Sequence, residues 1–273
     1  MRVRFWGVRG SIPTPQPENL HYGGNTSCLE FRSHAGALLI ADCGSGVRML
    51  GKALRKEFAG RPIGAHILFT HFHWDHIQGW PFFAPLYDEG NQFDVYSFRP
   101  HDASLEETLG GQMMRPYFPV DMTAMRAKRS YTEVTPGAFW LQDFRIQSAR
   151  MNHPQGCLCF RLENHGKAIV LATDTEPGDP PSDWALREIC RGADVLIYDS
   201  QYERSQLKRE KKGWGHSTWE EGVEVCLESG FKQLILFHHD PDSDDRAIGA
   251  LQERGQARFP NTRAAYEGME IAL

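Results

Sequence analysis

The distribution of apolar and polar residues in the first half of the chain predicts strands interrupted by one helix. The N-terminal segment "MRVRFW" alternates, and "CLEFRSHAGALLIAD" has the pattern of two strands joined by a turn at residues 34–36. Next, "VRMLGKALRKEF" places its apolar residues at helical spacing, whereas the continuous run in "AHILFT" predicts a buried strand. The first half therefore predicts an α/β fold.

The second half contains a series of strand-like segments that each end at or near a polar or titratable residue. Two sheets packed face to face, with helices outside, would bury the apolar runs and bring their polar ends together at one edge. We expect the chemistry of the protein at that edge. The segments are "FWLQDFRIQSARMNH", "CLCFRLEN", "KAIVLATD", "ADVLIYDS" and "QLILFHH".

The stretch over about residues 99–133 differs from the rest of the chain. It contains the helix-like segments "ASLEETLGGQMM" and "VDMTAMRAKR", separated by "RPYFPV", and has little strand character. We predict a helical insertion between strands. Because the sequence shows neither repeats nor a Gly/Ser-rich linker, residues 1–273 are predicted to form a single domain.

Composition narrows the functional classes. The chain carries a formal net charge of −5 with a pI near 6.2, which argues against an extended basic surface for nucleic acid. The sequence has no signal-peptide pattern and no apolar run of the roughly 18 residues that a membrane span needs, so we expect a cytoplasmic protein without membrane contact. The six cysteines lack CxxC spacing and are expected to be reduced and buried.

Candidate metal ligands crowd the stretch "THFHWDHIQGW", where His71, His73, Asp75 and His76 have the spacing H-x-H-x-D-H. If residues 70–73 end a strand in extended form, His71 and His73 point to the same side, and the other two residues follow in a turn. Imidazole and carboxylate ligands suit zinc, and also manganese or iron. The stretch therefore predicts part of a metal site.

Further ligands are expected at later strand ends, because four residues do not complete two metal sites. The sequence offers His153 in "RMNHPQG", Asp174 in "IVLATDTE" and His238 in "LILFHHDP". The predicted set holds two divalent ions. His71, His73 and His153 form one site, Asp75, His76 and His238 form the other, and Asp174 bridges them.

The H-x-H-x-D-H run with later His, Asp and His residues at strand ends resembles the metallo-β-lactamase superfamily. This resemblance spans residues 1 to about 240 and implies a four-layer αββα sandwich. It also implies that all seven residues are ligands and that His238, which follows "LILF", is favoured over His239. Asp42, at the end of "LLIAD", resembles an aspartate that orients a ligand imidazole beneath the metals.

The branch of the superfamily is indicated by two features. The redox branch has a glutamate at the second position of H-x-H, where this chain has His73, so hydrolysis is favoured. The segment "GWGHSTWEEG" resembles the H-S-T element of tRNA 3′-processing endonucleases, in which the histidine lies beside the scissile phosphate. The resemblance implies this position for His216, with Asp199 orienting it and Ser217 or Thr218 capping the next helix. Such an imidazolium would assist an alkoxide leaving group.

The N-terminal segment "GVRGSIPTPQPENLHYGGNTSCLE" resembles a glycine and asparagine-serine loop beside the metals in the same branch. The resemblance implies that Gly10, Ser11, Asn25 and Ser27 hold phosphate oxygens or orient ligands. An ordinary turn-rich connection is the alternative. The basic residues of "YERSQLKREKKGWGH" predict either a solvated charged helix or a cationic lid over the substrate.

We predict a dinuclear-metal phosphodiesterase that cleaves a small phosphodiester, such as a cyclic nucleotide or a ribose cyclic phosphate. In this reading the two metals activate a bridging water, Asp75 accepts the proton of that water while remaining a ligand, and His216 assists the leaving oxygen. A protruding arm like that of the tRNA-processing enzymes is not found in the sequence, and a homodimer is expected by analogy alone. Alternatives are hydrolysis of a lactone, thioester or lactam, tRNA 3′ processing by an endoribonuclease, and a metal-holding sensor without catalysis.

Overall fold

Two seven-stranded sheets face each other and bury the apolar runs between them. The computed structural model describes residues 1–99 and 102–273, and residues 100 and 101, at the start of the predicted insertion, lie outside the described residues. The first sheet has the order β14-β1-β2-β3-β4-β5-β6. Its strands are β1 (Arg2–Gly7), β2 (Cys28–Arg32), β3 (Leu38–Ala41), β4 (Gly64–Leu68), β5 (Gln92–Ser97), β6 (Lys128–Glu133) and β14 (Glu270–Ala272).

The second sheet comes from the later part of the chain and has the order β13-β12-β11-β10-β9-β8-β7. Strands β10, β11, β12 and β13 are parallel, and β9 runs antiparallel to both β8 and β10. The strands are β7 (Gly137–Leu141), β8 (Phe144–Met151), β9 (Cys157–Asn164), β10 (Lys167–Ala172), β11 (Val195–Asp199), β12 (Gln233–Phe237) and β13 (Thr262–Ala264).

Helices cover the outer face of each sheet. Helix α1 buries Val47, Leu50 and Leu54 on one side, as its helical spacing predicts, and α6 begins after Thr218, whose hydroxyl accepts from the Glu221 N–H. In the described ranges, helices long and apolar enough to cross a membrane are absent. The helices are α1 (Val47–Phe58), α2 (Trp74–Ile77), α3 (Leu105–Gly111), α4 (Pro180–Cys190), α5 (Arg204–Gln206), α6 (Trp219–Ser229) and α7 (Asp245–Arg258).

The core lies in three layers, which confirms the predicted αββα sandwich. Phe5 and Phe31 of the first sheet belong to the same buried cluster as Phe160, Ile197 and Phe237 of the second. Separate clusters join each sheet to its own helices. Strands buried on both faces have continuous apolar sequences, as seen in β10, β11 and β12.

The predicted helical insertion at 99–133 is only partly correct. Helix α3 is present, but "VDMTAMRAKR" forms a short 3-10 turn (Met122–Ala124), and its last residues enter β6, which pairs in parallel with β5. Asp121 accepts from the Thr123 N–H and fixes the turn. Because β6 is an edge strand with most side chains in solvent, its polar composition concealed its extended structure.

The topology brings five strand ends to one edge. Strands β8, β10, β11 and β12 run in the same direction in the second sheet, and β4 follows β3 in parallel in the first. The segments after β4, β8, β10, β11 and β12 contain the predicted ligands together with Asp199. The fold therefore gathers residues that are far apart in the sequence.

Core packing between the sheets yields a stability prediction. Phe160→Ala removes a fully buried ring between the two sheets and is expected to lower the free energy of unfolding by about 3–5 kcal/mol. Chemical denaturation followed by circular dichroism measures the change. Leu227→Ala, at a residue that is 57% exposed on α6, is the control and is expected to change stability by no more than about 0.5 kcal/mol. Equal losses in both variants would contradict the assigned core.

Candidate metal centre

The H-x-H-x-D-H motif leaves the end of β4 and turns at once into helix α2. His71 lies in the connection, His73 is the residue before the helix, and Asp75 and His76 lie within it. The strand ends at Leu68, earlier than the predicted extension over residues 70–73, yet the rings of His71 and His73 still lie 4.5 Å apart. The motif therefore presents four candidate ligands to one small volume.

Backbone conformation turns three strand-end side chains toward this volume. Asp42, Asp174 and His238 have φ angles of 59°, 55° and 60°, in the left-handed region that residues other than glycine seldom adopt. Such conformations cluster at functional sites because the surrounding structure must hold them. Gly10 allows a further close approach, since a Cβ at this position would lie 2.5 Å from the His238 ring.

The first group of candidate ligands consists of His71, His73 and His153. Their ring nitrogens lie within 4.8 Å of one another, and His153 Nε2 is 3.0 Å from His73 Nδ1. His71 and His153 are buried, while His73 lies at the surface of the group. In this group, His71 and His73 follow β4 of the first sheet, and His153 follows β8 of the second sheet.

The second group consists of Asp75, His76 and His238. His238 Nε2 is 3.1 Å from Asp75 Oδ2 and 3.2 Å from His76 Nε2, and His76 Nε2 is 3.3 Å from the same carboxylate oxygen. All three residues are buried. This group also spans both sheets, because His238 follows β12.

Asp174 lies between the two groups and contacts both. Its Oδ1 atom is 3.7 Å from His71 Nε2 and 3.8 Å from His153 Nε2. Its Oδ2 atom is 3.2 Å from His76 Nε2 and 3.4 Å from His238 Nε2. The carboxylate thus offers one oxygen to each group, which is the arrangement that a shared ligand requires.

Hydrogen bonds outside the centre fix the orientation of the imidazoles. His76 Nδ1 donates to Asp42 Oδ2 at 2.8 Å, and Asp42 also accepts from the N–H of Thr70. His238 Nδ1 donates to Gln201 Oε1 at 2.9 Å, and His153 Nδ1 donates to a backbone carbonyl. In each case Nδ1 is engaged outside the centre, so Nε2 is the atom that faces it.

Three orienting groups were not predicted from the sequence. They are the Gln201 side chain, the carbonyl of Gly215, and Gln155, whose Oε1 accepts from His73 Nε2 at 2.9 Å. Amide side chains in loops carry no spacing pattern. The adjacency of Gln201 to "LIYDS" was the available signal, because that strand end is predicted to lie at the same edge.

Burial and charge determine the protonation of the centre. Burial lowers the pKa of His71 well below its ordinary value, and the nearby His76 lowers it further. Burial acts to raise the pKa values of Asp75 and Asp174, but neighbouring imidazoles, foremost His76 and His238 respectively, outweigh it and hold both pKa values well below their usual range. Burial also acts to lower the pKa of His76, but the charges of Asp174 and Asp75 outweigh it and raise that pKa well above its ordinary value. The centre therefore combines ionised carboxylates with the neutral imidazole of His71.

His216 and Asp199 form a pair beside this centre. His216 Nδ1 donates to Asp199 Oδ2 at 2.9 Å, and the imidazole stacks on the His238 ring with centroids 5.1 Å apart. Asp199 is fully buried and also accepts from the backbone N–H groups of Asp174, Gln201 and Ser217. Burial lowers the pKa of His216, but the charge and hydrogen bond of Asp199 outweigh it and raise the pKa to about 9.

The N-terminal loop contributes to the centre unevenly. The Ser11 N–H donates to Asp75 Oδ2 at 2.7 Å, and the exposed side chain accepts from Gln201 at 3.3 Å. Ser27 is fully buried and donates to Asp42, so it supports the residue that orients His76. The Asn25 amide bonds to Ser45 and Glu267. Among the three predicted substrate-binding residues, Ser11 alone is exposed beside the candidate ligands, and its predicted contribution was the backbone N–H.

His239 faces away from the centre. Its Nε2 atom donates to the Ala265 carbonyl at 2.9 Å. Burial lowers the pKa of His239 to about 3, so the ring is neutral and structural. His238 points the opposite way, toward Asp75 and His76.

Comparison with known proteins identifies the family. A model of the beta-lactamase superfamily domain matches residues 39–239, well over half of the chain, and the match includes all seven candidate ligands. The chain belongs to the beta-lactamase superfamily. The resemblance inferred from the motif is thereby confirmed.

Individual members of the superfamily are similar to this chain over nearly its whole length. Ribonuclease Z of Gemmatimonas aurantiaca is 24% identical over 331 aligned positions, which cover 99% of this chain and 95% of the relative. The metallo-beta-lactamase fold protein YhfI from Bacillus subtilis has a TM-score of 0.71 at 19% identity, covering 99% of this chain and 98% of that protein. A diphosphatase from the PhnP family also has a TM-score of 0.71, at 18% identity, covering 100% and 97%. The structural matches establish the fold.

The residues at the centre fit the divalent metal ions that this fold implies. The buried His71 Nε2 atom has no hydrogen-bond partner in residues 1–99 and 102–273, although it is aimed at Asp174. Three buried carboxylates, Asp42, Asp75 and Asp174, also require positive charge nearby. Family membership, the ribonuclease Z relatives and the cluster together indicate a metal-dependent hydrolase.

A cavity that could hold a ligand lies beside the candidate metal centre. A cavity of about 680 Å³ opens beside His153 and Gln155 and is lined elsewhere by Met151, Pro181 and Ala185 among others. The basic segment that could form a solvated helix or a lid contains α5 and then a π-helical turn (Leu207–Lys211). The cavity therefore adjoins the first group of candidate ligands at His153.

The position of Asp174 yields a metal-content prediction. If this carboxylate serves both groups, Asp174→Ala is expected to reduce bound zinc or manganese from about two ions per chain to at most one. Inductively coupled plasma mass spectrometry of metal-loaded, desalted protein measures the content. Asp88→Ala, at a surface residue paired with Arg55, is the matched control and is expected to bind as the original chain does. Full metal content in Asp174→Ala would rule out the shared role.

Proposed function

We propose that this hydrolase is a dinuclear-metal phosphodiesterase acting on a small phosphodiester, such as a cyclic nucleotide or a ribose cyclic phosphate. The pair of His216 and Asp199 is the observation that carries the proposal. Metal-dependent hydrolysis of a lactone, thioester or lactam needs the seven candidate ligands but has less use for an imidazolium beside them. Phosphodiester cleavage expels an alkoxide, which needs a proton or a positive charge.

The candidate ligands divide between two ions in this proposal. His71, His73 and His153 would hold one, Asp75, His76 and His238 the other, and Asp174 both. Zinc suits this set of nitrogen and carboxylate donors, with manganese or iron as alternatives. When bound, the ions would supply Lewis-acid activation of water and neutralise phosphoryl oxygens.

The protein's own residues handle the protons. Asp75 is ionised and held in place by the Ser11 N–H, so its carboxylate can accept the proton that the attacking water loses. His216 commits Nδ1 to Asp199, which leaves Nε2 to donate to the leaving oxygen. With a pKa of about 9, the imidazole is protonated at neutral pH and suited to this step.

Several features support a small substrate. The alignment with ribonuclease Z of Gemmatimonas aurantiaca runs over 331 positions although this chain has 273 residues, so the relative contains segments that this chain lacks. The net charge is −5, and Arg204 of the basic segment pairs with Glu224 at 2.8 Å rather than facing outward alone. The 680 Å³ cavity is of a size that suits small molecules.

Processing of tRNA 3′ ends is the second candidate. Relatives named ribonuclease Z align with this chain over 99% of its length, which favours it. The two functions share the centre and the His216–Asp199 pair and differ in how much of the substrate must be held. A long RNA would require contacts beyond the centre, and the acidic net charge makes a broad RNA-binding surface unfavourable.

A substrate panel distinguishes these functions. Zinc- or manganese-loaded protein is expected to hydrolyse bis-p-nitrophenyl phosphate and at least one of the 3′,5′- and 2′,3′-cyclic nucleotides, with little turnover of a lactone or a thioester. Release of nitrophenol and chromatography of the nucleotides measure the activities. Efficient cleavage of precursor tRNA with none of the cyclic nucleotides would favour the second candidate, and thioester turnover without phosphodiester turnover would refute both.

The role of His216 gives a separate prediction. His216→Ala is expected to lower kcat for phosphodiester cleavage by roughly 10²-fold while the metal content is unchanged, because the residue acts on the leaving oxygen rather than as a ligand. Steady-state kinetics and elemental analysis measure the two quantities. His165→Ala is the control, because it removes an exposed histidine in the turn before β10, at the end of this strand opposite to Asp174. Unchanged kcat in His216→Ala would contradict the proposed function.

A further inference from the structure

Trp214 is exposed at the edge of the proposed active site, two residues before His216. Its side chain is 56% exposed, although an indole is among the most costly groups to leave in water. The residue lies between Gly213 and Gly215, which both have φ angles of +85°. The loop therefore uses a conformation available to glycine on both sides of one exposed aromatic ring.

The buried carboxylate of Glu176 binds the backbone of this loop. Glu176 is only 7% exposed, and its carboxylate accepts from the Gly213 N–H at 2.8 Å and from the Gly215 N–H at 2.9 Å. The two bonds flank Trp214 in the sequence. Hydrogen bonds to a charged acceptor are stronger than those between neutral groups, so the backbone of Trp214 is firmly placed.

The loop is also fixed from the side of the candidate ligands. The Gly215 carbonyl accepts from His153 Nδ1 at 2.8 Å, and a Cβ at Gly215 would lie 2.2 Å from the same atom. Trp214 is thus one residue away from a direct contact with the first group. Its position relative to the metal centre is set by the same bond that orients His153.

A cation accompanies the indole. Lys211 Nζ lies 4.2 Å from the centroid of the Trp214 ring and 5.5 Å from that of Tyr202. The Tyr202 ring is in turn 5.8 Å from the His216 ring. These contacts place an aromatic face and a positive charge together on the side of the site where His216 lies.

We propose that Trp214 is a specificity-determining residue that stacks on the nucleobase of a nucleoside phosphodiester while the phosphate lies beside His216. This inference rests on the proposed function and deepens it by naming the substrate class. Lys211 lies over the indole ring, and more than half of the residue is still exposed and available to a planar partner. Base stacking on an aromatic side chain is strong and tolerant of base identity.

Two substrates with one leaving group test the proposal. Thymidine 5′-(p-nitrophenyl phosphate) carries a base, whereas methyl p-nitrophenyl phosphate does not, so the ratio of their kcat/KM values reports the selectivity for a nucleoside. Trp214→Leu is expected to lower this ratio at least about tenfold, mainly through KM, and Trp214→Phe to keep it within about threefold. Trp140 is 66% exposed on β7 and pairs with Arg145 near the start of β8, whereas His153 follows the end of β8. Trp140→Leu is expected to leave the ratio unchanged. An unchanged ratio in Trp214→Leu, or an equal loss in Trp214→Phe, would overturn the proposal.

A binding measurement separates this proposal from the proposed function. Calorimetric titration of zinc-loaded protein with thymidine 5′-monophosphate and with methyl phosphate gives two Kd values. The preference for the nucleotide is expected to fall at least about tenfold in Trp214→Leu. If the original chain cleaves neither ester, the phosphodiesterase assignment fails while this titration still decides the stacking. If it cleaves both and neither preference changes in Trp214→Leu, the stacking alone is refuted.

Discussion

Charge balance where the strand ends meet is the constraint on which the site depends. Asp42, Asp75 and Asp174 are buried together, and an uncompensated buried charge costs several kcal/mol in order-of-magnitude terms. The imidazoles around them offset part of this charge, since the carboxylates raise the pKa of His76 well above its ordinary value, but burial keeps His71 neutral. Divalent cations, which the fold implies, would complete the compensation.

The rest of the fold is arranged to maintain this balance. Left-handed backbone at Asp42, Asp174 and His238 costs on the order of 1–3 kcal/mol at each position, and the extended sheets supply the rigidity that holds it. The outer nitrogens of His76, His153 and His238 bond to groups from other segments of the chain. The geometry of the centre thus depends on the correct packing of β8, β10, β11 and β12 as much as on the motif.

The sequence predicted the strands, the sandwich and the composition of the centre because each has a strong physical signature. Buried parallel strands are continuously apolar, and H-x-H-x-D-H concentrates residue types that rarely occur together. By contrast, "VDMTAMRAKR" was misassigned as helix, since an edge strand such as β6 shows weak periodicity. Gln201 and Glu176 escaped notice because their roles depend on loops brought near by tertiary packing, which no local pattern records.

Each group of candidate ligands contains residues from both sheets, and this links metal binding to the stability of the fold. His153 and His238 follow strands of the second sheet, and the motif residues follow a strand of the first. An ion bound by either group would therefore link the two sheets. Whatever binds the folded chain and not the unfolded one shifts the folding equilibrium. Metal supply would then affect the stability of the folded chain as well as its activity.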